Sequence, residues 1–231
     1  MNAPAKSSAS FQAASTFTLF RALSVVSAIC GLIIVASYLS TLDRAKANRR
    51  LAAQRAVFKV LPDATSVKEF LALPTGDIVP AGGGDPPPGA LRFYAAYDAK
   101  GHFAGIAADG GAKGYADMVR VMFGYSEPCH CIVGIGVVSM RETPGIGDRI
   151  LTDKDFLANF KALDVQLKDD LSALANDVKV VKHGAKTQPW QVDAISGATV
   201  TSRAVGKGIN DAAQLLLPRL VPRLDQLREK S

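Results

Sequence analysis

Twenty-one consecutive residues, Ala22 to Leu42, carry no charge, and this run constrains the chain more than any other feature. A helix needs about 20 predominantly apolar residues to cross the hydrocarbon core of a bilayer. Arg21 and Asp43-Arg44 bound the run, so a single transmembrane helix over residues 16–43 is the expected anchor. A cleaved signal peptide would have a shorter apolar core of about 7–15 residues, and the small-residue cleavage pattern after the run is not convincing. The polar groups inside the run are Ser24, Ser27, Ser37, Tyr38, Ser40 and Thr41. None is charged, so nothing in the run marks a path for ions.

Residues 1–15, rich in Ala and Ser, are expected to be disordered. Residues 44–62 read as a juxtamembrane stalk helix. Ala53, Ala56, Val57, Val60 and Leu61 recur at helical spacing among Arg and Lys, and Pro62 stops the pattern. Lys6 and Arg21 precede the span, whereas Arg44, Lys46, Arg49, Arg50 and Arg55 come after it. Counted literally, the positive-inside rule puts the C-terminal part in the cytoplasm. The basic run reads as a solvated helix face that can also touch lipid headgroups. Net charge is only +6, and no interleaved aromatic and basic motif accompanies it, so nucleic acid is not an expected partner.

Residues 63–217 read as one α+β domain: a mixed or antiparallel sheet flanked by helices, with residues 218–231 as a tail. Asp98-Ala99-Lys100-Gly101 is turn chemistry between Leu91–Tyr97 and Phe103–Ala108, which predicts a hairpin. Residues Met118–Phe123 and Ile132–Met140 add two strands rich in β-branched side chains, and Val178–Lys182 adds a third. Asp155–Phe160 is a short helical pattern, and Leu163–Asp177 fits neither period. The Gly82-Gly83-Gly84-Asp85-Pro86-Pro87-Pro88-Gly89 stretch is a loop. Small and apolar residues from Ala204 to Leu216 predict a final helix, and Pro218 and Pro222 break up the tail beyond it.

Four hydroxyls, Ser196, Thr199, Thr201 and Ser202, crowd around Gly197 where that helix begins. Two readings stand open. Ser and Thr are common helix caps; equally, the unpaired N–H groups and positive dipole of a helix start suit a phosphate. Upstream, Glu142-Thr143-Pro144-Gly145-Ile146-Gly147-Asp148 closes the longest strand. Pro144-Gly145 fits a type II turn, and Gly147 lets the backbone approach a planar ligand. Lys182-His183 to Trp190 gathers two lysines, a histidine and the only tryptophan, which could surround an anionic aromatic cofactor. No nucleophile–base–orienter set forms around His183, and no Gly-x-Ser-x-Gly elbow makes a hydrolase of Ser196. Cys129-His130-Cys131 lacks the second ligand pair of a zinc site, and three cysteines make no disulfide framework. Strand alternation puts both sulfurs on one face, so a buried pair is favoured over a metal.

Asp193-Ala194-Ile195-Ser196-Gly197-Ala198-Thr199 matches the Asp-x-x-Ser-Gly-Ala-Thr flavinylation motif of FMN-binding domains. With the anchor, Val60-Leu61-Pro62, Gly114-Tyr115 and the Glu142–Asp148 turn in the same order, the chain resembles the G subunit of the Rnf electron-transport complex. It is similar, at greater distance, to the C subunit of the sodium-translocating NADH:quinone reductase. Asp117 replaces a commoner Gly, and Ile146 a commoner Leu. The resemblance implies covalent FMN, esterified through its phosphate to Thr199 by a flavin transferase. Ser196, Gly197, Ala198, Thr201 and Ser202 would surround the phosphate. Glu142, Thr143, Pro144, Gly145, Gly147, Tyr115 and Lys182 would lie along the rest of the flavin. Asp193 would serve recognition by the transferase.

The role this implies is an electron-carrier subunit of an ion-translocating oxidoreductase, not catalytic alone. It would work with other membrane subunits, in a bacterial inner membrane, with the FMN domain on the periplasmic side. No Gly-x-Gly-x-x-Gly signature for NADH is present. The alternatives are a stand-alone tethered FMN carrier for another reductase, or a non-redox anchored binding or assembly module.

Overall fold

The computed structural model describes residues 15–82 and 86–228. It divides into two compact units, one ending at Arg49 and one beginning at Arg50. The disorder expected for residues 1–15 and the centre of the Gly82–Gly89 loop fall almost wholly outside the described residues.

Helix α1 (Thr16–Val60) opens the chain. Its stretch Thr16–Leu42, 27 residues, is long and apolar enough to cross a membrane. At about 1.5 Å per residue it reaches about 40 Å, beyond the roughly 30 Å of hydrocarbon. Leu19, Leu23, Leu32 and Ile34 stand exposed along it, as groups facing acyl chains must.

The second unit is built on a seven-stranded sheet. Its strands are β1 (Ser66–Ala72), β2 (Ile78–Pro80), β3 (Leu91–Tyr97), β4 (Phe103–Lys113), β5 (Met118–Ser126), β6 (Cys131–Ser139) and β7 (Leu163–Asp164). Their order is β2-β1-β3-β4-β5-β6-β7 and every pairing is antiparallel. A short parallel pair, β8 (Lys179–Val181) and β9 (Gln191–Asp193), lies outside this sheet. Three further helices complete it: α2 (Lys154–Ala158), α3 (Thr199–Leu220) and α4 (Asp225–Arg228). The fold is α+β, as the sequence indicates.

The β3–β4 hairpin forms where the turn chemistry places it. The Asp98 carboxylate accepts from the N–H groups of Lys100 and His102, both at 2.8 Å. Both faces of the central strands are covered. Val205, Ile209 and Leu216 of α3 belong to the core on one face with Ile106, Val121 and Phe123. Val57, Val60 and Leu61, at the end of α1, join Tyr94, Ala96, Ala107 and Met122 on the other. Double coverage is why Phe93 to Tyr97 is an unbroken apolar run rather than an alternation. Glycines set the depth of both helices. A Cβ on Gly110 would sit 2.2 Å from the Gly208 carbonyl oxygen of α3, and one on Gly124 would sit 2.6 Å from that of Val60.

The structure departs from the sequence reading in several places. Strands β1, β2 and β9 have no counterpart in it, and β4 and β5 run longer than the apolar pattern. The ambiguous Leu163–Asp177 segment supplies β7 and an isolated Leu167–Leu174 bridge. Helix α3 does not stop at Pro218 but continues to Leu220. Nor is the rest a free tail: Leu217, Leu220, Leu224 and Leu227 are all buried, and the Tyr97 hydroxyl donates to the Leu227 carbonyl at 3.0 Å. Burying those leucines offsets the one helical hydrogen bond that proline removes. Cys129 and Cys131 form a disulfide, correcting the free-pair and metal readings. Cys129 lies in the turn before β6, not on a strand, and His130 takes a left-handed φ of 50° that curls the two Cα atoms to 5.1 Å.

Candidate functional site

Three turns meet at the sheet end where β4 hands over to β5 and β6 finishes. The first is Gly114–Asp117, closed by the Gly114 N–H donating to the Asp117 carbonyl at 2.8 Å. The second is Thr143–Ile146, with Gly145 at φ +77° and the Ile146 N–H donating to the Thr143 carbonyl, the bond a type II turn needs. The third leads into α3 through Gly197, at φ +83°.

The Glu142 carboxylate joins them. It is buried and accepts from the N–H groups of Tyr115 (3.3 Å), Ala116 (3.1 Å) and Asp117 (3.4 Å), and from the Thr201 hydroxyl (2.7 Å). Burial raises its pKa, but the hydroxyl and the three N–H groups outweigh that, so the group stays below the usual carboxylate range. Glycine is required on two sides. A Cβ on Gly114 would come within 2.4 Å of Glu142 Oε1, and one on Gly147 within 2.7 Å of Glu142 Cβ and 3.0 Å of Thr201 Oγ1.

None of the four hydroxyls caps α3. The cap position is Ala198, with no side-chain hydrogen bond. Thr201 and Ser202 are buried and turned inward. Thr201 donates to Glu142, while Ser202 donates to the Ala198 carbonyl and accepts from the Ile195 N–H at 3.1 Å. In this structure their hydrogen-bonding groups shape the turn. Thr199, the first residue of the helix, remains half-exposed, and Ser196 is exposed. Among the described residues no acceptor meets the N–H groups of Thr199, Val200 or Thr201. An anion is therefore favoured there by the free donors and by the dipole.

The surroundings have two characters. Tyr115 (73% exposed), Ile146 and Val200 are exposed apolar side chains attached to the three joined turns. Arg203, four residues after Thr199 and on the same helical face, is exposed with no described partner. Sequence reasoning missed Arg203; the i, i+4 spacing from Thr199 was the available signal.

Other expected site residues lie elsewhere or do other work. Lys182 is exposed beyond β8, and no described hydrogen bond ties its ammonium to the site. Asp193 is not a free recognition group: its carboxylate accepts from the Gly184 and Ala185 N–H groups at 2.8 and 3.2 Å. Asn159, also missed, is buried and its Oδ1 accepts from the Asp193 N–H and from Lys186 Nζ, both at 3.1 Å. His183 Nδ1 lies 3.1 Å from the Ala194 carbonyl and 4.0 Å from the Asp193 carboxylate. Trp190 is engaged through its backbone with β8 and does not join the site. Beside the Ser196 turn lies a cavity of about 220 Å³ lined by Arg149, Asp153, Phe156 and His183. Arg149 crosses it, donating to the Ser196 carbonyl at 3.1 Å and to Asp153 at 3.0 Å. Among the described residues no cluster of His, Cys, Asp and Glu could hold a metal ion.

The region carrying all three turns, residues 114–214, matches the FMN-binding domain family. The fold agrees: the Shewanella oneidensis NqrC crystal structure superposes with a TM-score of 0.58 at 23% identity, over 80% of this chain and all of that one. Relatives matched over longer stretches narrow the class. The chain is 30% identical to the G subunit of the Na(+)-translocating ferredoxin:NAD(+) oxidoreductase complex of Acetobacterium woodii, over 68% of this chain and 70% of that protein. It is 27% identical to the G subunit of the ion-translocating oxidoreductase complex of Methanosarcina acetivorans, over 81% and 87% respectively. The chain belongs to the G-subunit family of ion-translocating oxidoreductase complexes.

Proposed function

We propose that this chain is a membrane-anchored flavoprotein subunit that carries electrons through FMN esterified to Thr199, within an ion-translocating electron-transport complex. The observation that carries the site assignment is the division of labour among the hydroxyls. Thr201 and Ser202 are buried and engaged, whereas Thr199 opens the helix beside three N–H groups without acceptors. The residues suit the cofactor: free donors for a phosphodiester, a neighbouring guanidinium at Arg203, and exposed apolar side chains at Tyr115, Ile146 and Val200 for an aromatic ring.

Bound flavin supplies reversible electron uptake and release. The chain's own residues hold and orient. Glu142 fixes Tyr115 and Thr201 relative to each other, and so fixes the start of α3. Gly114 and Gly147 allow that closeness. Asp193 and Asn159 hold the approach to the Ser196 turn, and Arg203 offsets the charge of the phosphodiester.

Maturation by a flavin transferase belongs to the same reading, since among the described residues no basic group hydrogen-bonds the Thr199 hydroxyl to activate it. The Thr16–Leu42 span supports anchoring in a membrane with lipid around it. The periplasmic side is supported by the Cys129–Cys131 disulfide, which persists in oxidising compartments. The test is intact-mass measurement after co-expression with a flavin transferase. The expected result is a gain of FMN less one water, absent in Thr199→Val; an unmodified chain refutes the proposal.

A further inference from the structure

We propose that Cys129-His130-Cys131 is a thiol–disulfide exchange site, a second redox site that takes a dithiol as its reductant. Its position separates it from the three turns above. The pair sits at the start of β6, and the eight steps from Cys131 to Ser139 span about 26 Å before the chain reaches Glu142. The site therefore trades electrons with partners of its own.

As a structural staple the disulfide does little. It encloses a single residue, and the stabilisation a disulfide brings through the unfolded chain grows with loop length. The hairpin it spans is already paired from Arg120–Ser139 to Ser126–Cys131. The intervening turn is held independently: the His130 N–H donates to the Glu127 carbonyl at 3.0 Å, and the Val165 N–H donates to the His130 carbonyl at 3.1 Å. The bond can open with the fold intact.

What the site does have is the asymmetry of an exchange pair. Cys129 is exposed and Cys131 is buried, so one sulfur is open to attack and the other is shielded. The residue between them in sequence, His130, is exposed. His130 Nδ1 lies 3.2 Å from the Tyr125 hydroxyl. Burial, with the Glu127 charge adding to it, pushes that phenol up to about 12, so it keeps its proton and can donate to Nδ1. The neutral ring then presents Nε2–H as a hydrogen-bond donor.

The chemistry balances. A thiolate of the partner attacks Cys129 Sγ and the Cys129–Cys131 bond breaks. Cys131 leaves as a thiolate and is protonated by solvent. The partner's second thiolate then attacks the partner sulfur of the mixed disulfide, and Cys129 leaves and is protonated. One disulfide here becomes two thiols, one dithiol there becomes a disulfide, and two electrons and two protons cross.

The test uses the full chain in detergent, with Cys30→Ser removing the third cysteine. The protein is equilibrated with graded mixtures of reduced and oxidised glutathione, quenched in acid, alkylated and weighed. The pair is expected to pass between disulfide and dithiol across those mixtures with the near-ultraviolet circular dichroism unchanged. Cys131→Ser should accumulate a glutathione adduct on Cys129. Cys129→Ser should form at least about tenfold less adduct on the buried Cys131. Reduction only on unfolding overturns the proposal, as does a pair that stays reduced throughout or an adduct preferring Cys131. Thr199→Val leaves all these results unchanged, so failure here is separate from failure of the flavin assignment.

Discussion

Removing the Glu142 carboxylate is the sharpest probe of how the site is assembled. Glu142→Ala deletes the acceptor of four hydrogen bonds. The Tyr115–Asp117 N–H groups sit in an exposed loop and regain water, so their loss is partly compensated. The Thr201 hydroxyl, 2% exposed, is not reached by water and is left unsatisfied at about 1–3 kcal/mol. With the charge-assisted bonds to the loop added, the total comes to about 3–4 kcal/mol, which for a domain of this size lowers Tm by roughly 6–16 °C. Glu142→Gln keeps the shape and one acceptor and should lose about 1–2 kcal/mol at neutral pH.

Acidity gives this prediction a sign. The folded-state pKa of Glu142 is lowered, so its stabilisation is fully present above the ordinary value of 4.5 and is lost as pH falls through the folded value. The stability gap between wild type and Glu142→Gln, followed by thermal circular dichroism in detergent, should narrow steadily below about pH 4.5. A Glu142→Ala variant within 0.5 kcal/mol of wild type, taken as about the noise of surface substitutions, would refute the keystone role. A gap that does not change with pH would refute the ionised carboxylate.

Three other substitutions test separate parts of the account. Gly110→Ala pushes a methyl group to within 2.2 Å of the Gly208 carbonyl oxygen, so it should cost about 1–3 kcal/mol in denaturant titrations by separating α3 from β4. Leu227→Ala, in what the sequence presents as a tail, should cost about 2–5 kcal/mol because that side chain is fully buried; a neutral result would mean the C-terminal segment does not belong to the core. Arg203→Gln should leave stability unchanged but slow flavin loading of Thr199 about two- to fivefold in a timed transferase reaction, the effect of one partly exposed charge near a helix terminus.

The chain is legible where a local pattern decides the structure. The uncharged run, the Asp98–Gly101 hairpin and the Pro144-Gly145 turn come from length, turn chemistry and positive φ. Strand β1 is hidden because Lys68 and Glu69 interrupt its apolar positions; the Glu69–Arg92 pair at 2.9 Å shows how the neighbouring strand accommodates that charge. Strands β2 and β9 are three residues each, too short for periodicity to register.

The hydroxyl turn fails for a more specific reason. Successive helical residues turn by about 100°, so which hydroxyls face inward depends on the residue at which α3 begins. Starting after Ala198 turns Thr201 and Ser202 into the core and leaves Thr199 out, which composition alone does not reveal. The cysteines mislead likewise. On a regular strand, residues two apart are separated by about 6.6 Å, near the limit for a disulfide, and only the left-handed curl at His130 brings them together.

The central claim is covalent attachment at one oxygen, and tandem mass spectrometry of the purified, transferase-matured full chain addresses it directly. The peptide carrying residues 193–203 should bear one FMN phosphodiester with fragment ions placing it on Thr199. Modification of Ser196, Thr201 or Ser202 instead, or a peptide with no flavin at all, would contradict the account.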